Sequence, residues 1–177
     1  MPLPKYPVLF YKPATSISGP LDPIPIPLAA QDAGEEIDYE VELVAVIGKP
    51  CRDVSESDAL SYVLGYAVGN DISHRTWQLA RGGGQWNLGK GFDGWAPFGP
   101  GIVSPSVISD PNTLSISTRV NGEEVQRSST ADMIFGVART ISFLSQGVTL
   151  MPGDVIFTGT PEGWAWDGTP RRILGDF

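Results

Sequence analysis

Proline placement constrains this chain more than any other feature. Eight prolines, Pro2, Pro4, Pro7, Pro13, Pro20, Pro23, Pro25 and Pro27, fall within residues 1–34. Each fixes its own φ and lacks an amide donor, so the spacing excludes a helix there and leaves edge strands and turns. The whole chain carries 21 glycines and 16 prolines with no collagen-like period, a composition that points to turn-rich β structure. Its 177 residues are enough for one domain with a real core, and residues 1–177 are read as one unit without repeats or a low-complexity linker.

Downstream of residue 34 the hydrophobic pattern assigns the elements. Tyr39 to Ile47 reads as a strand, alternating in its first half and ended by Gly48-Lys49-Pro50. A short helix is predicted over Ser55–Gly65, with Ser55 as N-cap and Asp58 at an imperfect capping-box position. Tyr66 to Asn70 follows as a buried strand ending at Asp71. A second helix is predicted from about Ser73 to the glycines at 82–84. Leu114–Val120 and Glu124–Arg127 flank Asn121-Gly122, a type I′ hairpin signal. Asp132–Ser145 carries apolar residues at 133, 134, 137, 138, 141 and 144, a helical stripe closed by Gly147. Val155–Phe157 is a short strand running into Thr158-Gly159-Thr160-Pro161. Strands outnumber helices, so the class is β-rich α+β.

Bulk properties exclude several functions. A net charge of -8 disfavours nucleic acid and anionic membranes as partners. No apolar run approaches the ~20 residues that cross a bilayer, and the N-terminus is too polar for a signal peptide. The single cysteine, Cys51, rules out an intrachain disulfide and suits a reducing compartment. Cytosol is the default, with mitochondria open if a presequence is missing. No histidine neighbours Cys51 in sequence, which weighs against a nucleophile.

Glu40 and Glu42 stand two apart on a strand, so their carboxylates share a face while Tyr39, Val41 and Leu43 point to the core. Two such carboxylates repel unless a cation lies between them, and a hard divalent ion would relieve the repulsion. An ordinary solvated strand face is the alternative. Asp71 closes an apolar run; if it opens a helical turn, Arg75 and Gln78 share its face. Asp71 then acts as a metal ligand, or else caps the helix and pairs with Arg75. His74, the only histidine, is read as a surface helix residue. Gly84-Gln85-Trp86-Asn87-Leu88-Gly89-Lys90 matches the G-x-x-x-x-G-K spacing of a phosphate loop. It lacks the following Ser or Thr, and Phe92-Asp93-Gly94-Trp95-Ala96-Pro97 cannot start a good helix, so nucleotide binding is rejected. Lys90 remains as a cation suited to a substrate carboxylate or enolate.

Several segments together resemble the fumarylacetoacetate hydrolase family, especially its short single-domain fungal and bacterial members. They are Pro7-Val8-Leu9-Phe10-Tyr11-Lys12-Pro13, Asp38-Tyr39-Glu40-Val41-Glu42-Leu43, Gly69-Asn70-Asp71-Ile72-Ser73-His74-Arg75, Gly89-Lys90-Gly91-Phe92-Asp93 and Thr158-Gly159-Thr160-Pro161-Glu162-Gly163, in family order across about 7–163. The resemblance implies a β-roll of mixed sheets with a few short helices and usually a homodimer. It implies Mg²⁺, Mn²⁺ or Ca²⁺ on Glu40, Glu42 and Asp71, with Arg75, Gln78, Lys90 and Thr160 lining the substrate pocket. Lys90 and Arg75 would be the catalytic cations. Members hydrolyse, decarboxylate or tautomerise small β-dicarbonyl or 2-oxo acids of the acylpyruvate or oxaloacetate type, the metal stabilising an enolate.

Two departures accompany the resemblance. Family hydrolases carry an H-x-x-E pair upstream of the segment matching Tyr6-Pro7-Val8, and this sequence has none there. Residues 164–177 form a divergent tail. The expectation is metal-dependent tautomerisation or decarboxylation with weak hydrolysis, the alternative being a catalytically silent ligand-binding or dimerising protein of the same fold.

Overall fold

A computed structural model describes residues 3–34 and 36–162; the divergent tail, 164–177, lies outside the described residues. Among these residues the order of strands is β1 (Ile17–Ser18), β2 (Ile37–Asp38), β3 (Val41–Ile47), β4 (Val63–Asn70), β5 (Ser73–His74), β6 (Ala96–Val103), β7 (Ser115–Val120), β8 (Glu123–Ser129) and β9 (Val155–Phe157). The α-helices are short: α1 (Leu28–Gln31), α2 (Asn87–Lys90) and α3 (Val137–Leu144).

Five strands form one sheet in the order β1-β6-β4-β3-β9, with β1 and β6 parallel and the other pairs antiparallel. Two small pairs, β2 with β5 and β7 with β8, complete the mixed, β-rich arrangement. β3 lies between β4 and β9 and is buried along its whole length. Leu43, Ala45 and Ile47 pack on one side with Tyr66, Val137 and Ile141, so α3 seals that face. Val44 and Val46 pack on the other with Ala67, Phe98 and Phe157. Each large apolar side chain removed from water here contributes roughly 1.5–3 kcal/mol. A strand apolar on both faces carries little alternation, which is why the pattern fades after Leu43.

The helix expectations need correction. Pro27 does not prevent a helix directly after it. It stands at the N-cap of α1, and Leu28-Ala29-Ala30-Gln31, free of proline, makes one turn. Ser55–Gly65 holds only a 3₁₀ turn at Ala59–Tyr62, and β4 has begun by Val63. Ser55 and Asp58 do bond one another, at 2.7 Å from hydroxyl to carboxylate, around that tight turn. Ser73 and His74 belong to β5, and the helical turn after them is a π-turn at Trp77–Arg81 ending at Gly82. The stripe over Asp132–Ser145 is split. A capping box of Ser129 and Asp132 closes a 3₁₀ turn, Met133 turns extended, and α3 starts only after Gly136.

The hairpin forms as expected. Asn121 and Gly122 both take positive φ, 52° and 83°, which is the type I′ requirement.

Candidate metal centre

β3 and β4 run antiparallel, with Glu42 opposite Gly69 and Val41 opposite Asn70. That register brings the start of β3 beside the end of β4, where Glu40 and Asp71 lie just outside the strands. The Asp71 amide donates to the Glu40 carbonyl at 2.8 Å, and the Glu40 amide to Asn70 Oδ1 at 2.9 Å. Glu40, Glu42 and Asp71 are all buried, and each offers a carboxylate oxygen within 4.8 Å of those of the other two.

Cations surround the triad. Lys90 Nζ lies 2.8 Å from both Glu40 Oε2 and Asp71 Oδ2 and donates to Ser73 Oγ at 2.5 Å. Arg75 contacts Glu40 Oε1 at 2.6 Å through Nη1, and reaches Asp38 Oδ2 at 2.8 Å through Nε and 2.6 Å through Nη2. The Gln78 carbonyl accepts from Arg75 Nη1 at 2.6 Å. Lys12 Nζ is 2.7 Å from Asp71 Oδ1 and bonds the carbonyls of Ile72 at 3.3 Å and Trp95 at 2.9 Å, and also that of Lys90.

Burial dominates the electrostatics. It pushes the Glu42 carboxyl well above the usual carboxylate range; repulsion from Asp71 and Glu40 adds to it, and Lys90 and the Gly159 amide only partly oppose it. Burial also pulls the Lys12 ammonium down, offset in part by Asp71. At Lys90 burial works the same way but is outweighed by Asp71 and Glu40, so its pKa rises and it stays charged.

Four carboxylates, Asp38, Glu40, Glu42 and Asp71, thus face three cations, Lys12, Arg75 and Lys90. Among the described residues the cluster is short of positive charge. Asp71 Oδ1 has no aligned hydrogen-bond donor there even though Lys12 is close, and Glu42 has a backbone amide but, among those residues, no side-chain cation bound to it. Three converging, buried carboxylate oxygens, one lacking an aligned donor and one on a carboxyl raised by burial and by repulsion, fit a hard divalent ion.

The sequence-read residues therefore come together. Glu40, Glu42, Asp71, Lys90, Arg75 and Gln78 make one contiguous cluster. Thr160 follows Gly159, whose amide donates to Glu42 Oε2 at 2.6 Å. Two details differ from the sequence reading. Asp71 opens no helical turn with Arg75; it precedes β5 and pairs with Lys12 and Lys90, while Arg75 turns to Asp38 and Glu40. His74 is no surface residue. It is fully buried, its Nε2 bonds the carbonyls of Ala30 at 3.0 Å and Gly34 at 2.9 Å, and Nδ1 accepts from the Trp77 amide. Those partners require the Nε2–H tautomer and give His74 a structural part.

Lys12, Asp38 and Ser73 were not singled out from sequence. Lys12 sits in the proline-rich stretch, 60 residues from Ile72, and no local pattern relates it to Asp71 or Ile72. Cys51 is buried in the main core, where burial raises its thiol pKa, the reverse of an activated nucleophile.

A curled mixed sheet carrying three buried carboxylates ringed by lysine and arginine defines a class of protein, a β-scaffold whose acidic triad offers oxygen ligands that could hold a metal ion. The family model "Fumarylacetoacetate (FAA) hydrolase C-terminal" matches residues 1–176, and the chain belongs to that family. It is 50% identical over 182 residues to fumarylacetoacetate hydrolase domain-containing protein 2 homolog of Dictyostelium discoideum, covering 98% of this chain and 58% of that one. It is 49% identical over 163 residues to the mitochondrial oxaloacetate tautomerase fahd2 of Xenopus laevis, covering 92% of this chain and 50% of that one. Among solved structures, fumarylacetoacetate hydrolase from Exiguobacterium antarcticum superposes with TM-score 0.87 at 42% identity, over 96% of this chain and 59% of that one. The chain thus spans little more than half the length of these relatives.

Proposed function

We propose that this chain is the catalytic domain of a metal-dependent enzyme that interconverts the keto and enol forms of a small 2-oxo acid of the oxaloacetate or acylpyruvate class. The observation that carries this reading is the buried Glu40, Glu42 and Asp71 triad, whose carboxylate oxygens converge within 4.8 Å of one another and crowd the Glu42 carboxyl. A divalent ion, Mg²⁺ or Mn²⁺, held by these three carboxylates would supply Lewis-acid stabilisation of charge on an oxo oxygen. A dication would also turn the described cluster net positive, which suits an anionic oxo acid.

The chain's own residues have separable parts. Lys90 stays protonated between Glu40 and Asp71 and keeps positive charge next to the anion. Arg75 holds Glu40 in place, with Asp38 and Gln78 fixing its guanidinium in turn. Gln78, whose carbonyl is taken by Arg75, offers its amide nitrogen, and Thr160 offers its hydroxyl, to the substrate. His74 is held by backbone groups, which gives it a structural part rather than that of a water-activating base.

Relatives named as oxaloacetate tautomerases support the substrate class. Leu64 and Val68 on β4, half exposed beside Ile102 and Val103 on β6, support a homodimer, which light scattering would read out. The mitochondrial relatives and the lone buried cysteine fit a reducing compartment, cytosol or mitochondrial matrix. No helix among the described residues is long and apolar enough to cross a membrane.

The test is oxaloacetate keto–enol exchange followed by ultraviolet absorbance, with decarboxylation and acylpyruvate hydrolysis alongside, after chelation and on adding back Mg²⁺ or Mn²⁺. Metal-dependent exchange is expected. Absence of metal-dependent turnover in all three assays would favour a silent binding protein instead.

A further inference from the structure

Gln126, on β8, is buried and makes four hydrogen bonds that fall into two groups. Its Oε1 accepts from the Val41 amide at 3.1 Å and from the Thr118 hydroxyl at 2.9 Å. Its Nε2 donates to Thr160 Oγ1 at 2.9 Å and to the Pro161 carbonyl at 3.2 Å. The amide cannot be turned over. A backbone N–H can only donate and a carbonyl can only accept, so Val41 and Pro161 together fix which arm is oxygen and which nitrogen.

This has a chemical result at Thr160. Because its oxygen accepts from Gln126, its hydroxyl proton must point away from that amide. Val41 lies between Glu40 and Glu42, and Gly159, next to Thr160, donates to Glu42. One side chain therefore ties the carboxylate-bearing strand, the β7–β8 hairpin and the Thr160 loop into a single geometry. We propose that Gln126 is a positioning residue that turns the Thr160 hydroxyl into a hydrogen-bond donor for the anionic oxo acid. The inference builds on the function proposed above and adds to it the group that sets the polarity of the substrate contact.

Gln126→Glu tests it by replacing the donating nitrogen with an acceptor of the same shape. The Thr160 hydroxyl would then donate to the new carboxylate and withdraw from the substrate. A hydrogen bond to a charged group is worth a factor of about ten or more, so KM for oxaloacetate should rise about tenfold. kcat should change by less than about threefold, and Mn²⁺ affinity measured by calorimetry should stay within about twofold. Thr160→Val should give the same rise, and the double variant no more than either single one. Thr160→Ser, which keeps the hydroxyl, should retain near-normal KM with Gln126 present and lose it in the Gln126→Glu background.

Additive losses in the double variant, or an unchanged KM in Gln126→Glu while Thr160→Val is impaired, would overturn the inference and leave the proposed function standing. So would a loss confined to Mn²⁺ affinity, the mark of a purely structural tie. If wild type neither binds Mn²⁺ nor turns over oxaloacetate, the proposed function fails and the inference falls with it. Should the carboxylate variant not fold, Gln126→Met, similar in length without either polar arm, leaves the Thr160 hydroxyl unoriented rather than withdrawn: a smaller rise in KM that is lost in a Thr160→Val background is expected, and an unchanged KM would overturn the inference.

Discussion

At Glu42 burial, repulsion from Asp71 and repulsion from Glu40 act in one direction, and the charge of Lys90 and the Gly159 amide only partly answer them. Glu42→Gln keeps the shape and still accepts from the Gly159 amide. Without metal, thermal stability should therefore hold or rise. With metal, the Mn²⁺-induced rise in melting temperature should vanish and metal-dependent turnover should fall more than about 100-fold, since even outer-shell changes cost 10–100-fold. Lys12 gives the opposite case. Its ammonium lies against Asp71 and three backbone carbonyls, so Lys12→Met leaves Asp71 with Lys90 alone and takes a shared donor from those carbonyls. Removing one partner of a buried pair costs about 3 kcal/mol or more, which urea unfolding would show as a lower midpoint at unchanged slope.

At the scale of elements, α2 matters because it delivers Lys90. It can do so only by close approach to the π-turn: a Cβ at Gly89 would lie 2.6 Å from the Gln78 backbone nitrogen. Gly89→Ala should push α2 outward, cost about 1–3 kcal/mol and lower activity by moving the ammonium off Glu40 and Asp71. A melting curve and the oxaloacetate assay read the two effects separately. This approach also marks where sequence reading works and where it stops. The Asn121-Gly122 turn, the two-residue spacing of Glu40 and Glu42 and the end of β4 at Asp71 are local signals, and each was legible. The split of the 132–145 stripe was not, because periodicity reports a shared apolar face without reporting that Met133 turns extended before Gly136 restarts the helix. Nor was Lys12, whose partners are supplied by the fold alone.

For the whole molecule, the raised Glu42 carboxyl sets a sign. Between its unfolded and folded pKa values the native chain holds a proton that the unfolded chain has lost. The contribution of Glu42 to the stability of the metal-free protein is therefore full below the ordinary carboxylate range and is lost as pH rises through the raised folded value. A bound divalent ion replaces that proton and should flatten or reverse the decline, which melting curves across pH with chelator and with Mn²⁺ would reveal. The centre itself is gathered from both ends of the described chain, from Lys12 through Glu40, Glu42, Asp71 and Lys90 to the loop at Gly159. Contacts of such high sequence separation form late, after the loops between them have closed. During synthesis the first half of the chain would emerge with its carboxylates in place but without the strand and loop that complete their surroundings. An ion held by Glu40, Glu42 and Asp71 would join β3 to the end of β4, and the Gly159 loop would complete its surroundings only in the finished domain.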